Sequence, residues 1–232
     1  MPRLNWISDE DLRNAVGSLL ATAQEAQRLA VDEFGRNVVD PFSAIFEMAG
    51  FNMDFDTWLK SEQARQAQKT LQNFIGGFHQ IVLGHCPGWT NMNVGGLIDL
   101  LHTDKKIIAE VKNKHNTVSG GKLSGVYSGL ENLVMDKASI YKGYTAYFVQ
   151  IIPPSTDRYN RPFTPSDPEK GQRQPENELI RIIDGANFYA LATGSETAIY
   201  DLHDAVPDFI QELTGTKLDK ERLKGILTMA YG

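Results

Sequence analysis

Along the first third of the chain, apolar residues recur at steps of three and four. Leu12, Val16, Leu19, Leu20, Ala23, Ala26 and Ala30 mark one face of a helix, and Ser8 with Asp11 three residues on reads as its capping box. The stretch "VVDPF" restarts the chain. Asp40 suits an N-cap and Pro41 a first helical residue, and Gly50 closes a short helix carrying Phe42, Ile45, Phe46 and Ala49. A long helix is predicted from about Thr57, with Ala64, Ala67, Leu71, Phe74, Ile75 and Phe78 on one face, ending before the breaker-rich "GHCPGW".

The period then changes. "GGLIDLLH" and "KKIIAEVK" are short, branched and apolar, and His102–Lys105 joins them through Thr103 and Asp104, which predicts a β-hairpin. Helical spacing returns through Val126, Leu130, Leu133, Val134 and Ala138; "YTAYFVQII" is a third strand and "LIRIID" a fourth. Between those two strands, residues 153–177 are polar and hold six of the ten prolines, the pattern of a long loop or arm. Gly185 reads as a turn, "ANFYALATG" as a helix closed by Gly194, and residues 195–205 and 220–229 as terminal helices. Helices, hairpin, helix, strand, arm, strand and helices, in that order, predict a single domain over 1–232 of α/β (α+β) class. Its mixed central sheet is flanked by helices. Its parts are a helical region at 1–90, the hairpin, helix and strand at 91–152, the proline-rich arm at 153–177, and a closing strand and helices at 178–232. Trp58, Phe74, Phe78 and the aromatics of "YTAYF" are expected in the core.

Composition narrows the picture. The chain of 232 residues is 41% hydrophobic and 22% charged, which is globular, and no apolar run approaches the roughly 20 residues of a membrane span. The start lacks a secretion signal, and the single cysteine, Cys86, cannot form an internal disulfide; both fit a cytoplasmic protein with Cys86 structural. A net charge of −6 argues against coating nucleic acid by bulk attraction. One stretch reverses the sign: residues 105–122 hold Lys105, Lys106, Lys112, Lys114 and Lys122 against one acid, Glu110. A polyanion would be met here.

That stretch also carries candidate chemistry. Side chains at i and i+2 of a strand share a face, so Glu110 and Lys112 point one way while Ile107, Ala109 and Val111 point to the other and can enter the core. Folding the hairpin brings Asp99 beside residue 109 or 110, so Asp99 and Glu110 could together hold a hard cation with Lys112 at its edge. Mg²⁺, one or two ions per site, suits a pair of carboxylates because it keeps several waters. Such an ion can grip a phosphodiester oxygen and activate water, with Lys112 orienting the water or offsetting charge on the phosphate. Asn113, Lys114, His115, Asn116 and Thr117 leave the strand where a substrate would lie; lysine contacts phosphates or guanine, and asparagine pairs with adenine edges. With Lys122 they are the DNA-binding candidates. The alternative is an ordinary amphipathic hairpin with a Lys–Glu pair. Against it, Asp99 is set among Leu97, Ile98, Leu100 and Leu101, where an unpaired carboxylate is costly.

"IDLLHTDKKIIAEVK" resembles the catalytic hairpin of the PD-(D/E)xK nucleases, with Ile98 where proline is usual. "VVDPFSAIFEMAGF", "EVKNKHNT" and "IDGANFYALATG" resemble a family of type II restriction endonucleases that cut at GGNCC, and the likeness runs over most of the chain. The resemblance implies a restriction-endonuclease-like core and Mg²⁺-dependent cleavage of double-stranded DNA to 5′-phosphate and 3′-hydroxyl ends. Asp99 and Glu110 become metal ligands, with the Val111 backbone carbonyl, and Lys112 the catalytic lysine. Glu47 is a candidate extra acid, its alternative a solvated helix position. A palindromic target implies a homodimer, and a restriction enzyme implies a protecting DNA methyltransferase in the same bacterial cytoplasm. The arm at 153–177, with Arg158, Tyr159, Asn160, Arg161 and Arg173, is expected to embrace DNA, swap across the dimer, or be disordered. His79 and His85 lack partners at metal-ligand spacing and are expected to be structural; Gly95 and Gly96 either admit DNA or relieve crowding at a sheet edge. The rival readings are a repair or junction-resolving nuclease on the same core, a noncatalytic DNA-binding module, and a small-molecule metalloenzyme.

Overall fold

The computed structural model describes residues 2–92 and 96–232, so Gly95 lies outside the described residues. The chain forms two compact units, one of residues 16–78 and the other of residues 1–15 with 79–232.

The first unit is helical. Helix α1 (Asp9–Asp32), whose first residues belong to the second unit, begins at the expected capping box: the Asp11 amide donates to Ser8 Oγ at 3.0 Å and the hydroxyl returns a bond to the Asp11 carboxylate. Helix α2 (Pro41–Gly50) is capped by Asp40, which accepts from the amides of Phe42 and Ser43. Helix α3 (Phe55–Gly84) starts two residues before the expected Thr57, because Asp54 caps it by accepting from the Thr57 amide. Trp58 is buried against the rings of Phe34 and Phe55. One expectation fails here, and one face is unusual. Phe74 is exposed, and Phe42, Ile45 and Phe46 face solvent although they form the apolar stripe of α2.

The second unit holds a six-stranded sheet. Its strands are β1 (Thr90–Asn91), β2 (Leu100–His102), β3 (Ile107–Lys114), β4 (Thr145–Ile152), β5 (Asn160–Pro162) and, after a separate pair β6 (Ser166–Asp167) and β7 (Gln172–Arg173), β8 (Ile180–Asp184). The order is β1-β2-β3-β4-β8-β5. Strands β3, β4 and β8 run parallel and the outer strands antiparallel to their neighbours, so the sheet is mixed as expected. Helix α4 (Gly120–Met135) crosses from β3 to β4, and it stops at Met135 rather than running through Ala138 because the Asp136 backbone turns to an extended conformation. Helix α5 (Gly185–Thr193) takes Asp184 as its cap. Gly185, expected in a turn, opens this helix; a Cβ there would lie 2.3 Å from the Ile151 carbonyl oxygen, so only glycine lets α5 approach β4 this closely. Helix α6 (Ala198–Thr214) starts later than the expected 195 and runs on past the expected end at Ala205, with Pro207 inside it, and α7 (Lys220–Tyr231) closes the chain.

Both faces of the sheet are covered. Ile108, Ala146, Phe148 and Ile180 join Tyr127, Leu130 and Val134 of α4 in one apolar layer. On the other face Tyr147 meets Phe188 of α5, which also meets Trp89. The hairpin face carrying Glu110 is therefore not the outer face. It belongs to the same layer as Ile108, and residues 107–111 of β3 are all buried, as befits a strand in the parallel centre of a sheet.

The segment 153–177 is neither a free arm nor a disordered loop. Strand β5 pairs with β8, Phe163 enters the α4-side core, and Arg173 donates to the Thr164 carbonyl. Its prolines suit an edge strand and the turns between short strands, and this is why it reads as a loop.

Candidate active site

The hairpin register aligns Leu100 with Ala109 and His102 with Ile107. Carried one residue further, it sets Asp99 opposite Glu110. Asp99 lies just before β2 rather than in it, held by three bonds: its amide donates to the Ala109 carbonyl at 2.8 Å, its carbonyl accepts from the Met92 amide at 2.8 Å, and its Oδ2 accepts from the Val111 amide at 2.7 Å. The last bond fixes the carboxylate against β3. Lys112 lies two residues beyond Glu110 on the same face, with its Nζ 2.5 Å from Glu110 Oε1. The three predicted groups, Asp99, Glu110 and Lys112, thus converge at one point where the apolar layer of Ile108 and Phe148 ends.

Electrostatics make this point unusual. Glu110 is buried, and burial together with the neighbouring Asp99 carboxylate pushes its pKa up to about 7, while the Lys112 ammonium opposes the rise. The Asp99 and Glu110 carboxyls are within hydrogen-bonding reach of each other. Once Glu110 is ionised, two carboxylates and one lysine leave the cluster one positive charge short. A divalent cation fits that deficit. Among the described residues no group of three or more His, Cys, Asp and Glu side chains is arranged to hold a metal. An ion here would therefore take two carboxylates and complete its shell from main chain and water, a set that suits Mg²⁺.

Asn113 and Lys114 are the last residues of β3, and His115, Asn116 and Thr117 form the turn that follows; Lys114 to Thr117 are all exposed. The turn is pinned: the Thr117 amide donates to the Lys114 carbonyl, and the His115 amide to the Ile152 carbonyl. Lys122 is exposed in the first turn of α4. The lysine-rich stretch does not act as one stripe. Lys105 and Lys106 sit in the β2–β3 turn, and at about 3.3 Å per residue that turn is roughly 25 Å from Lys114 along the strand.

Glu47 belongs to the helical unit. Its carboxylate accepts from Trp58 Nε1 at 2.9 Å and from Ser43 Oγ at 2.8 Å, so it is a hydrogen-bonded anchor for Trp58 rather than a solvated position. His79 is half-buried with its Nδ1 2.8 Å from the Tyr189 hydroxyl, and desolvation lowers its pKa to about 4. Burial raises the Cys86 thiol to about 12, which leaves it inert.

Sequence reading missed a polar row beside Lys112. Gln150 of β4 is the register partner of Lys112, and Asp184 of β8 is the partner of Gln150. Both are buried. Gln150 donates to the His115 carbonyl at 3.3 Å and accepts from the Tyr159 hydroxyl at 2.7 Å, and Asp184 accepts from the Tyr159 amide at 2.6 Å. The 153–177 segment is thereby tied to the turn after β3. The available signal was a lone glutamine inside the apolar run "YFVQII", a polar group that burial obliges to find partners.

Residues 4–215 match the family of the Eco47II restriction endonuclease. The chain is 48% identical over its full length, and over the full length of the relative, to the type II restriction enzyme Eco47II of Escherichia coli. It is 30% identical to the type II restriction enzyme Sau96I of Staphylococcus aureus, with 94% of this chain and 84% of the relative covered. No solved structure matches the chain. With the match spanning nearly the whole sequence, the chain belongs to the Eco47II restriction endonuclease family, the site-specific deoxyribonucleases of type II restriction.

Proposed function

We propose that this enzyme hydrolyses both strands of duplex DNA at a short two-fold-symmetric site, GGNCC by resemblance. In this reading it acts as a homodimer in a bacterial cytoplasm, beside a methyltransferase that protects host DNA, and uses Mg²⁺ held by Asp99, Glu110 and the Val111 carbonyl. The observation that carries the reading is the meeting of two carboxylates across a hairpin, one of them raised to about 7, with a lysine 2.5 Å away.

The chemistry follows from the residues. Water attacks phosphorus and the bond to the 3′ oxygen breaks, giving a 5′-phosphate and a 3′-hydroxyl. A bound divalent ion supplies Lewis acidity toward the scissile phosphate and the attacking water. Asp99 is kept in one orientation by the Val111 amide, so the acid pair is set before substrate arrives. Lys112 offsets negative charge that grows on the phosphate oxygens and the leaving oxygen, and its strand holds it on the side of the acids. Lys114, His115, Asn116, Thr117 and Lys122 form the exposed rim from which phosphates and base edges are contacted, with Asn113 at the strand end. Glu47, already bound to Trp58 and Ser43, has no part in this reading.

Digestion of a plasmid of known sequence, with its ends mapped, tests it. Discrete fragments that need Mg²⁺ or Mn²⁺, stop with EDTA and end within GGNCC sites are expected. Smears, nicks at structured DNA, or intact plasmid at every metal concentration would overturn it.

A further inference from the structure

We infer that Arg161 of β5 is a DNA-backbone contact, a cation set on the sheet face of Glu110 and Lys112 to take a phosphate away from the scissile one. The inference rests on the nuclease reading above and extends its binding surface from the turn after β3 across the sheet to β5.

The register places the residue. Glu110 of β3, Phe148 of β4, Ile182 of β8 and Arg161 of β5 are successive partners across the sheet. Partners in register point to one face, so Arg161 shares the face of Glu110. Phe163, two residues on, lies on the same side and packs in the layer of Ile108 and Phe148. Strands lie about 4.8 Å apart, so three steps separate the two backbones by roughly 14 Å. One strand of duplex DNA carries a phosphate per about 3.4 Å of helix axis. A duplex with its scissile phosphate at Glu110 therefore has further phosphates within the span of this face.

Bonding sets Arg161 apart from the arginines around it. Arg158 donates to Asn187 Oδ1 at 2.6 Å and Arg173 to the Thr164 carbonyl at 2.9 Å, while Arg181 pairs with Glu178 and donates to Asn160. Arg161 is exposed, and among the described residues no carboxylate pairs with it. Its guanidinium carbon lies 5.6 Å from the centroid of the Tyr159 ring. That ring is itself held. The Tyr159 amide donates to Asp184, and its hydroxyl donates to Gln150, the register partner of Lys112. The cation is thus steadied by a ring tied to the row of Lys112, with no acid of this chain to neutralise it. A planar guanidinium in that position suits a phosphate, which it can hold through two parallel hydrogen bonds.

Binding of a short duplex with one GGNCC site, in metal-free buffer over a series of salt concentrations, tests this on the full-length protein. R161A is expected to lower the slope of log K against log salt by about one, and to weaken binding about tenfold at low salt. R161K is expected to restore the slope, because the charge sets it. R222A, on α7 and paired with Asp219, is expected to match the parent. With Mg²⁺ present, the loss in R161A should fall on KM rather than on kcat, as for a contact made equally in ground and transition states. An unchanged slope in R161A, whether or not its melting temperature falls, overturns the assignment and leaves the restriction reading intact. So does an equal fall in slope for R222A, which would make the effect one of bulk charge. Lost preference for site DNA with the slope unchanged would mean base reading and also overturns the phosphate contact. A parent that neither binds nor cuts duplex DNA fails the restriction reading, and this inference with it.

Discussion

The same kind of sequence signal, apolar residues at regular spacing, ends in opposite places in the two units. In β3 and β4 the branched and aromatic residues are buried on both faces, and Phe148 is wholly enclosed between the sheet and α4. In α2 the stripe of Phe42, Ile45 and Phe46 faces solvent. Periodicity reports which residues share a face and says nothing of what covers it. For the strand the cover is this chain's own helix; the stripe of α2 stays exposed. The difference also separates two energetic roles. Burial in the sheet unit stabilises the fold that presents Asp99, Glu110 and Lys112, whereas the exposed side chains of α2 add little to it.

The largest effects should come from the acid–lysine cluster. Asp99→Asn, Glu110→Gln and Lys112→Ala are each expected to lower cleavage by on the order of a thousand-fold or more, with discrete fragments absent in a plasmid digest and thermal unfolding still cooperative. Glu110→Gln carries a further expectation. The folded pKa of Glu110 lies above its ordinary 4.5, so the native state binds the proton more tightly, and this group costs stability as pH rises from about 4.5 to about 7. In metal-free buffer at pH 8 the variant should therefore melt no lower than the parent. A clear fall in melting temperature would mean the ion pair with Lys112 outweighs the burial of charge.

Stability changes come next and address the comparison itself. Phe148→Ala is expected to cost about 3–5 kcal/mol, as for a large side chain removed from a closed core. Phe46→Ala should cost within about 0.5 kcal/mol. Chemical denaturation of both variants gives the two values, and similar losses would erase the contrast between the units.

A smaller effect concerns pH. At the proposed metal site protons and metal would compete for Glu110, so Mn²⁺ affinity should fall by up to about tenfold per unit as pH drops below about 7. Calorimetric titrations between pH 5.5 and 8 would register it. The smallest effect separates the lysines: Lys114→Ala and Lys122→Ala should each lessen the salt dependence of DNA binding by about one phosphate contact. Lys105→Ala and Lys106→Ala, in the distant turn, should leave it unchanged.

Much of this was legible in advance for reasons that are local. The capping box at Ser8, the cap at Asp40 and the αL glycine at Gly194 fix helix ends through bonds to near neighbours. The hairpin follows from two apolar runs around a polar connection, and with it the meeting of Asp99 and Glu110. What escaped depends on partners distant in sequence. Strand β5 and the anchoring of Tyr159 to Gln150 and Asp184 require a sheet to be present first. The cover over the Glu110 face comes from α4, and no property of "IIAEVK" alone distinguishes one covered face from two. The exposure of Phe42 and Phe46 is the same failure in reverse.

Binding of Mn²⁺, followed by electron paramagnetic resonance, tests the central claim that Asp99 and Glu110 jointly hold the ion. The parent should bind one or two ions per chain at pH 8. Asp99→Asn and Glu110→Gln should each abolish that binding, and Lys112→Ala should keep it while losing cleavage. Unchanged Mn²⁺ binding in both acid variants would contradict the account.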